Sequence, residues 1–318
     1  MTRPALDVPG TDGVRALLRD AAARLASAGV ASPEADARAL LAHALGVGLG
    51  ELARLDLLGH RPARPAVEVF DALVTRRSAR EPLQHLTGRA GFRGLELAVG
   101  PGVFVPRPET EEVAAVAIAC ARAVGATGRQ PLVVDLCTGS AAIALAVADE
   151  VPDARVVAVE LDPPAVEWAR RNIAATAAGA RVELRVGDVR RCEQVLLADL
   201  AGDVDVVVSN PPYIPPNATP VDPEVRDHDP VLALYGGGDD GLEVPAAVVA
   251  AAAVLLTAGG RLVMEHADVQ ASAARALTVR GPWEDVHTRE DLTGRPRMLL
   301  AHRTAAPAAP TRVGDWPS

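Results

Sequence analysis

A chain of 318 residues with 49% hydrophobic and 23% charged side chains carries enough apolar matter for one large core or two modest ones. Its 27 glycines and 26 prolines are scattered without period, which excludes a collagen-like or wholly disordered chain, and a net charge of −9 argues against holding nucleic acid by bulk electrostatics. All 32 basic residues are arginine, so a Schiff-base lysine, a pyridoxal-phosphate lysine and a P-loop lysine are impossible.

The opening segment MTRPALDVPGTDG lacks the apolar centre of a signal peptide. From about residue 11 to 80 the pattern is helical only. Val14, Leu17, Leu18 and Leu25 recur at helical spacing, and Ser32-Pro33-Glu34 reads as an N-cap followed by proline at the first helical position. Ala39, Leu40, Leu45, Leu52, Leu55, Leu57 and Leu58 supply the core of a small bundle, and a further helix is expected from Ala66 to Arg80. From Gly91 the character changes. Phe92–Val99 alternates, Pro101-Gly102 makes a turn, and Val103–Val105 reads as the returning strand of a hairpin.

Beyond Pro108 strands and helices alternate. Strands are expected at Leu132–Leu136, Val156–Val159, Val182–Val186, Val204–Val208 and Arg261–Glu265. Helices fall near Glu109–Val124, Ala141–Ala148, Pro164–Ala175 and Leu242–Leu256. This is a doubly wound parallel sheet with helices on both faces, and Trp283–His287 and Arg297–Ala301 would close it as an edge hairpin. The longest apolar run, Val244–Ala258, contains Pro245 and is too short to span a bilayer. Cys120, Cys137 and Cys192 form no CxxC pair, their odd number suits a reducing compartment, and the histidines form no HExxH motif or metal cluster. A cytoplasmic protein without a metal is the expectation. The boundaries read as a helical domain over 1–88, a hairpin linker over 89–106, a catalytic domain over 107–303 and a disordered tail over 304–318.

Ligands of an open α/β sheet bind beyond the carboxyl ends of its strands. The first strand ends in Asp135-Leu136-Cys137-Thr138-Gly139-Ser140-Ala141, a polar turn entering a helix, although an ordinary strand–helix turn would read the same. The second ends in Glu160, which lies about 20 residues after that loop and could accept from the hydroxyls of a ribose. The third ends in Asp188-Val189, where Asp188 could accept from an adenine amino group or simply close an Asx-turn. Three polar ends in register favour an adenosyl ligand.

The fourth strand runs into Asn210-Pro211-Pro212-Tyr213. Asparagine followed by two prolines holds one carboxamide and one backbone carbonyl rigidly, because proline locks φ and donates no N–H. The side-chain oxygen of Asn210 and the carbonyl of Pro211 can both accept from one NH2 group, with Tyr213 as a flat wall. That suits methyl transfer to an amide or amino nitrogen. Its lone pair is delocalised, and two acceptors orient it and stabilise the positive charge that develops.

These residues resemble the protein-(glutamine-N5) methyltransferases of peptide chain release factors, the PrmC/HemK family, over about residues 11–302. Three further segments carry the resemblance: Glu81–Gly88, Val103–Glu111 and Val225–Leu234. The resemblance implies a seven-stranded Rossmann-like class I methyltransferase sheet behind a helical domain that helps dock the substrate protein. It implies S-adenosylmethionine across Asp135 and the loop Cys137, Thr138, Gly139, Ser140 and Ala141, with Glu160 on its ribose, Asp188 and Val189 beside its adenine, and Asn210 close by. Asn210, Pro211, Pro212 and Tyr213 would hold the glutamine of a Gly-Gly-Gln motif, with Asn210 and Pro211 as the catalytic pair. A ribosomal-protein glutamine, a nucleic-acid amino group and a non-catalytic release-factor binder are the other readings. Residues 1–90 hold twelve arginines and ten acids, and the remainder holds 20 arginines and 31 acids, so no basic cleft is expected and no stable nucleic-acid binding.

The chain departs from the family where Cys137 and Ala141 replace loop glycines, which leaves Gly139 and implies weaker cofactor binding. Val189 replaces a frequent aromatic, and Glu265-His266 departs from the family at the end of the fifth strand. His266 is expected to be a partly exposed loop residue.

Overall fold

The structure is a computed structural model that describes residues 12–191 and 197–304. Cys192 and the tail from Ala305 lie outside the described residues, and with them the reading of that tail as disordered. Among the described residues five helices precede the first strand: α1 Val14–Ser27, α2 Pro33–Leu45, α3 Leu49–Leu57, α4 Arg64–Ser78 and α5 Leu83–Thr87. The helical spacing of Val14, Leu18, Ala21 and Leu25 buries one stripe of α1 against Leu40, Leu41, Leu52, Leu55, Phe70, Leu73 and Val74. At about 1.5–3 kcal/mol for each fully buried large aliphatic side chain, this centre rather than helix propensity holds the bundle. Pro33 opens α2 as expected, but Ser32 at the N-cap makes no side-chain capping hydrogen bond. Leu57 and Leu58, expected in the core, are 80% and 68% exposed.

The chain divides into two compact units. One takes the described residues up to Ala90 with Val99–Pro101 and Pro220–Asp229, and the other takes Gly91–Ala98, Gly102–Thr219 and the described residues from Pro230. The boundary is thus not a single cut near the hairpin, because the short helix α9, Pro223–His228, belongs with the bundle. The reason is electrostatic. Buried Arg77 donates from Nε to Asp36 and from Nη1 to Glu224, each at 2.7 Å, and Arg80 donates from Nε to the same Glu224 at 2.7 Å.

The hairpin differs from its sequence reading. β1 Arg89–Phe92 pairs with β2 Leu95–Ala98 around Arg93-Gly94, while Val103 and Val105 are buried but lie outside any strand. Arg93 holds a left-handed φ of 51°, the conformation a two-residue turn demands. Its backbone N–H donates to Glu111 at 2.9 Å, so a tertiary acceptor decides where the chain turns.

The remaining strands are β3 Leu132–Leu136, β4 Arg155–Glu160, β5 Val182–Val186, β6 Val204–Ser209, β7 Leu256–Glu265, β8 Trp283–Glu290 and β9 Pro296–Arg303. They form one seven-stranded sheet in the order β5-β4-β3-β6-β7-β9-β8. β3 to β7 run parallel, and β9 and then β8 are added antiparallel. The period of two sorts the side chains. Val133, Val156, Val206 and Val208 face α6 (Pro108–Gly125) and α7 (Ala142–Glu150), while Val134, Val157 and Val207 face α11 (Glu243–Leu255). α8 spans Pro163–Ala175, α10 Val231–Leu234 and α12 Ala271–Ala276. The strand order reverses direction between β3 and β6, the switch point where an open α/β sheet leaves a crevice.

Candidate active site

The register Leu136↔Ser209 sets the loop after β3 beside the loop after β6, and Ser209 Oγ donates to the Leu136 carbonyl at 2.6 Å. Both sites read from the sequence therefore open at the switch point.

In the first loop Cys137, Gly139 and Ala141 all take left-handed backbone, with φ of 61°, 57° and 66°. Only Gly139 does so without strain; a Cβ costs roughly 1–2 kcal/mol there. The loop is tied from several sides. Thr138 N donates to the Val159 carbonyl at 2.9 Å, Gly139 N donates to Glu160 Oε2 at 2.8 Å, and Asn172 Nδ2 donates to the Ser140 carbonyl at 3.0 Å. Asn172, buried in α8, also joins both backbone groups of Ala98, a positioning role that a lone helical asparagine does not advertise in sequence.

Asp135 is fully buried. Its Oδ2 accepts from Thr138 Oγ1 at 2.5 Å and Ala144 N at 3.1 Å, while Oδ1 has no partner among the described residues. Burial pushes its carboxyl up to about 7. Glu160 Oε1 accepts from Leu161 N and Asp162 N, both at 2.8 Å, and burial pushes this carboxyl up as well. A carboxylate offers about four lone-pair sites, so Glu160 keeps room for one more donor. Asp188 closes an Asx-turn, accepting from Arg190 N at 2.9 Å, and also receives the Arg190 guanidinium at 2.7 Å. Val189 beside it is buried.

In the second loop Asn210 Nδ2 donates to Thr110 Oγ1 at 3.1 Å, and Thr110 Oγ1 donates to Glu265 Oε2 at 2.8 Å. The Tyr213 hydroxyl donates to Glu265 Oε1 at 3.3 Å. Burial pushes the Tyr213 phenol up, and the neighbouring Glu265 charge adds to it, so the hydroxyl stays a donor. Pro211 is buried and Pro212 partly so. Gln270 Nε2 donates to the Tyr213 carbonyl at 2.8 Å. Gly236 and Gly241 allow a second segment to press on this loop: a Cβ on Gly236 would lie 2.6 Å from the Pro212 carbonyl, and one on Gly241 2.3 Å from that of Tyr213. Ile214 N then donates to the Leu234 carbonyl at 2.8 Å, which pins the loop's exit.

Sequence reasoning assigned no role to Thr110, Gln270, Gly236 or Gly241. One signal lay in reach, since β7 pairs with β6 and its terminal Glu265 is as much a strand-end acid as Glu160. His266 is a correction. It is fully buried; its backbone N–H donates to the Arg297 carbonyl of β9 at 2.9 Å, and its ring Nδ1 lies 2.8 Å from the Ala267 carbonyl. Burial pushes its imidazole down, keeping it neutral at pH 7.

The sheet order and the two strand-end loops define a Rossmann-like methyltransferase. Residues 16–88 match the family model described as the PrmC N-terminal domain, and residues 115–222 match the methyltransferase small domain. The chain is 48% identical over 293 residues to a release factor glutamine methyltransferase of Mycolicibacterium smegmatis, covering 92% of this chain and 98% of that one. It is 50% identical over 286 residues to the protein of that name from Streptomyces coelicolor, covering 88% and 94%. A solved methyltransferase from Pyrococcus furiosus aligns at 17% identity with a TM-score of 0.46, over 74% of this chain and 98% of that one. The chain belongs to the family of release factor glutamine methyltransferases. No described helix is long and apolar enough to cross a membrane.

Proposed function

We propose that this protein transfers a methyl group from S-adenosylmethionine to the side-chain amide nitrogen of a release-factor glutamine, that of the Gly-Gly-Gln motif in class 1 release factors. The observation that carries this reading is the polarity of Asn210: its NH2 is engaged by Thr110, which leaves Oδ1 to accept, and the next residue in the chain, Pro211, adds a backbone carbonyl as a second acceptor. Two acceptors match the two hydrogens of a primary amide, orient its nitrogen and stabilise its growing positive charge. The nitrogen gains the methyl group as the C–S bond of the sulfonium breaks and leaves a neutral thioether, and once it is cationic it sheds one proton to solvent, so no strong base is required to begin.

The strand ends fit a cationic adenosyl ligand. Asp135 and Glu160 are buried carboxylates without an ion-pair partner among the described residues, and Asp135 Oδ1 is an orphaned acceptor. When bound, S-adenosylmethionine supplies an electrophilic methyl on a sulfonium. Asp135 and residues 137–141 would hold its methionine end, Glu160 its ribose, and Asp188 with Val189 its adenine. The helical unit would dock the substrate protein. A nucleobase substrate is disfavoured because the chain beyond residue 90 is strongly acidic.

The test is to incubate the protein with a class 1 release factor and S-adenosylmethionine and to map the Gly-Gly-Gln peptide by tandem mass spectrometry. One methyl on that glutamine is expected. An unmodified peptide, with the cofactor shown to bind, overturns the assigned substrate.

A further inference from the structure

The chain Asn210–Thr110–Glu265 joins three elements that are distant in sequence, and it has a direction. A hydroxyl owns one hydrogen. While Thr110 donates it to Glu265, its oxygen must accept, and the group it accepts from is the Asn210 NH2. Reversing the chain requires a hydrogen on Glu265: the carboxyl then donates to Thr110, Thr110 donates to Asn210, and the carboxamide turns its NH2 toward the crevice. The Asn210 NH2 would then meet one hydrogen of the substrate amide donor against donor, and the Pro211 carbonyl alone would remain to accept.

We propose that Glu265, acting through Thr110, is the positioning residue that sets the polarity of the Asn210 carboxamide, and that only ionised Glu265 presents Oδ1 to the substrate. This rests on the methyl-transfer reading above. Glu265 is 3% exposed and faces the Tyr213 hydroxyl from the catalytic loop, Thr110 and Glu109 from α6, and Arg297 from β9. Burial pushes its carboxyl up to about 7, Thr110, Arg297 and Tyr213 pull against that, and Glu109 adds to it. The switch between the two polarities therefore falls near neutral pH. Tyr213 donates to Oε1 in either state and holds the carboxyl in place.

The experiment compares wild type, Thr110→Val, Thr110→Ser and Glu265→Gln. Each is measured for single-turnover methylation of release factor at saturating cofactor from pH 5.5 to 8.5, and for S-adenosylmethionine affinity by calorimetry. Saturation removes the contribution of Asp135 to cofactor binding. Wild type that binds cofactor yet methylates no glutamine refutes the functional reading itself, independently of the variants.

With an active wild type, the rate should rise up to tenfold per pH unit to about pH 7 and then level. Thr110→Val should be slower by roughly 30- to 100-fold with cofactor affinity within about threefold, since misorientation of a reacting group costs on that order. Thr110→Ser, which keeps the hydroxyl, should stay within about fivefold. Glu265→Gln should be slow and flat with pH. A Thr110→Val rate within threefold of wild type, or a Glu265→Gln profile that keeps the wild-type rise, overturns the proposal. If Glu265→Gln fails to fold, the Val and Ser pair still decides it.

Discussion

Two sets of buried carboxylates live in this molecule under opposite rules. In the helical unit Glu224 lies between Arg77 and Arg80, and Asp36 takes the remaining face of Arg77. Burial alone would raise the Glu224 carboxyl, but hydrogen bonds from Arg80 and Arg77 overcome it and hold the group well below the usual carboxylate range. At the strand ends Asp135 and Glu265 have hydroxyl and amide partners but no ion pair among the described residues, and burial carries both up to about 7. A buried acid bridged by arginine is stabilised in its charged form, whereas one that forms no ion pair is pushed by burial toward its neutral form.

The sharpest break between the two would come from Asn210→Ala. Turnover should fall by about 10²- to 10³-fold, on the order of 3–4 kcal/mol, while cofactor affinity and melting temperature stay near wild type. Steady-state kinetics with calorimetry would check it, and a near-normal rate would refute the mechanism. Glu224→Ala should do the reverse. It leaves two arginines facing each other and should cost about 2–3 kcal/mol of stability, somewhat less than a fully desolvated pair because the Arg80 side chain is 25% exposed. Chemical denaturation reads this directly, and methyl transfer by the protein that remains folded should change little.

A third test uses the sign of the pH dependence. The folded pKa of Glu224 is depressed, so its stabilisation is present above the ordinary carboxylate value of ~4.3 and is lost as pH falls below it. Asp135 is raised, so its contribution is complete below ~3.9 and is lost as pH climbs to about 7. Asp135→Asn should therefore gain stability over wild type at pH 8, by at most about 4 kcal/mol, and little at pH 4, with weaker cofactor binding. Melting curves at the two pH values would show it, and an equal difference at both would remove the claim that this acid is strained by burial. The smallest effect belongs to Cys137→Gly. Relief of a left-handed Cβ, offset by the extra freedom of glycine in the unfolded chain, should leave up to ~1 kcal/mol of stabilisation and tighten cofactor binding a few-fold. Unchanged affinity would show that the neighbouring loop already accommodates the cysteine.

Much of this comparison was legible in the sequence on one side only. Glu160 ends β4, Asp188 and Asn210 follow the ends of β5 and β6, and Asp135 is the last residue but one of β3; a polar residue where a strand's run gives way to a loop is visible in the sequence. Thr110 sits on the third residue of a helix and looks like any first-turn threonine; only the contact with Glu265, 155 residues away, gives it a role. The same holds for Glu224, whose short segment reads as part of the catalytic domain until two arginines of α4 and its exit claim it. The burial of His266 is not visible locally, because β9 covers the turn after β7, and β9 arrives thirty residues later.

The sequence by itself determined the bundle, the order of strands and helices, and which polar groups the Asn210–Tyr213 loop carries, because these depend on periodicity and on what proline and a carboxamide can and cannot do. Only the tertiary structure decided which way that carboxamide points, where the hairpin turns, and which buried acids are paired with arginine. Those outcomes depend on hydrogen bonds between residues far apart in the chain, whose single donors and lone pairs are assigned only when the elements come together.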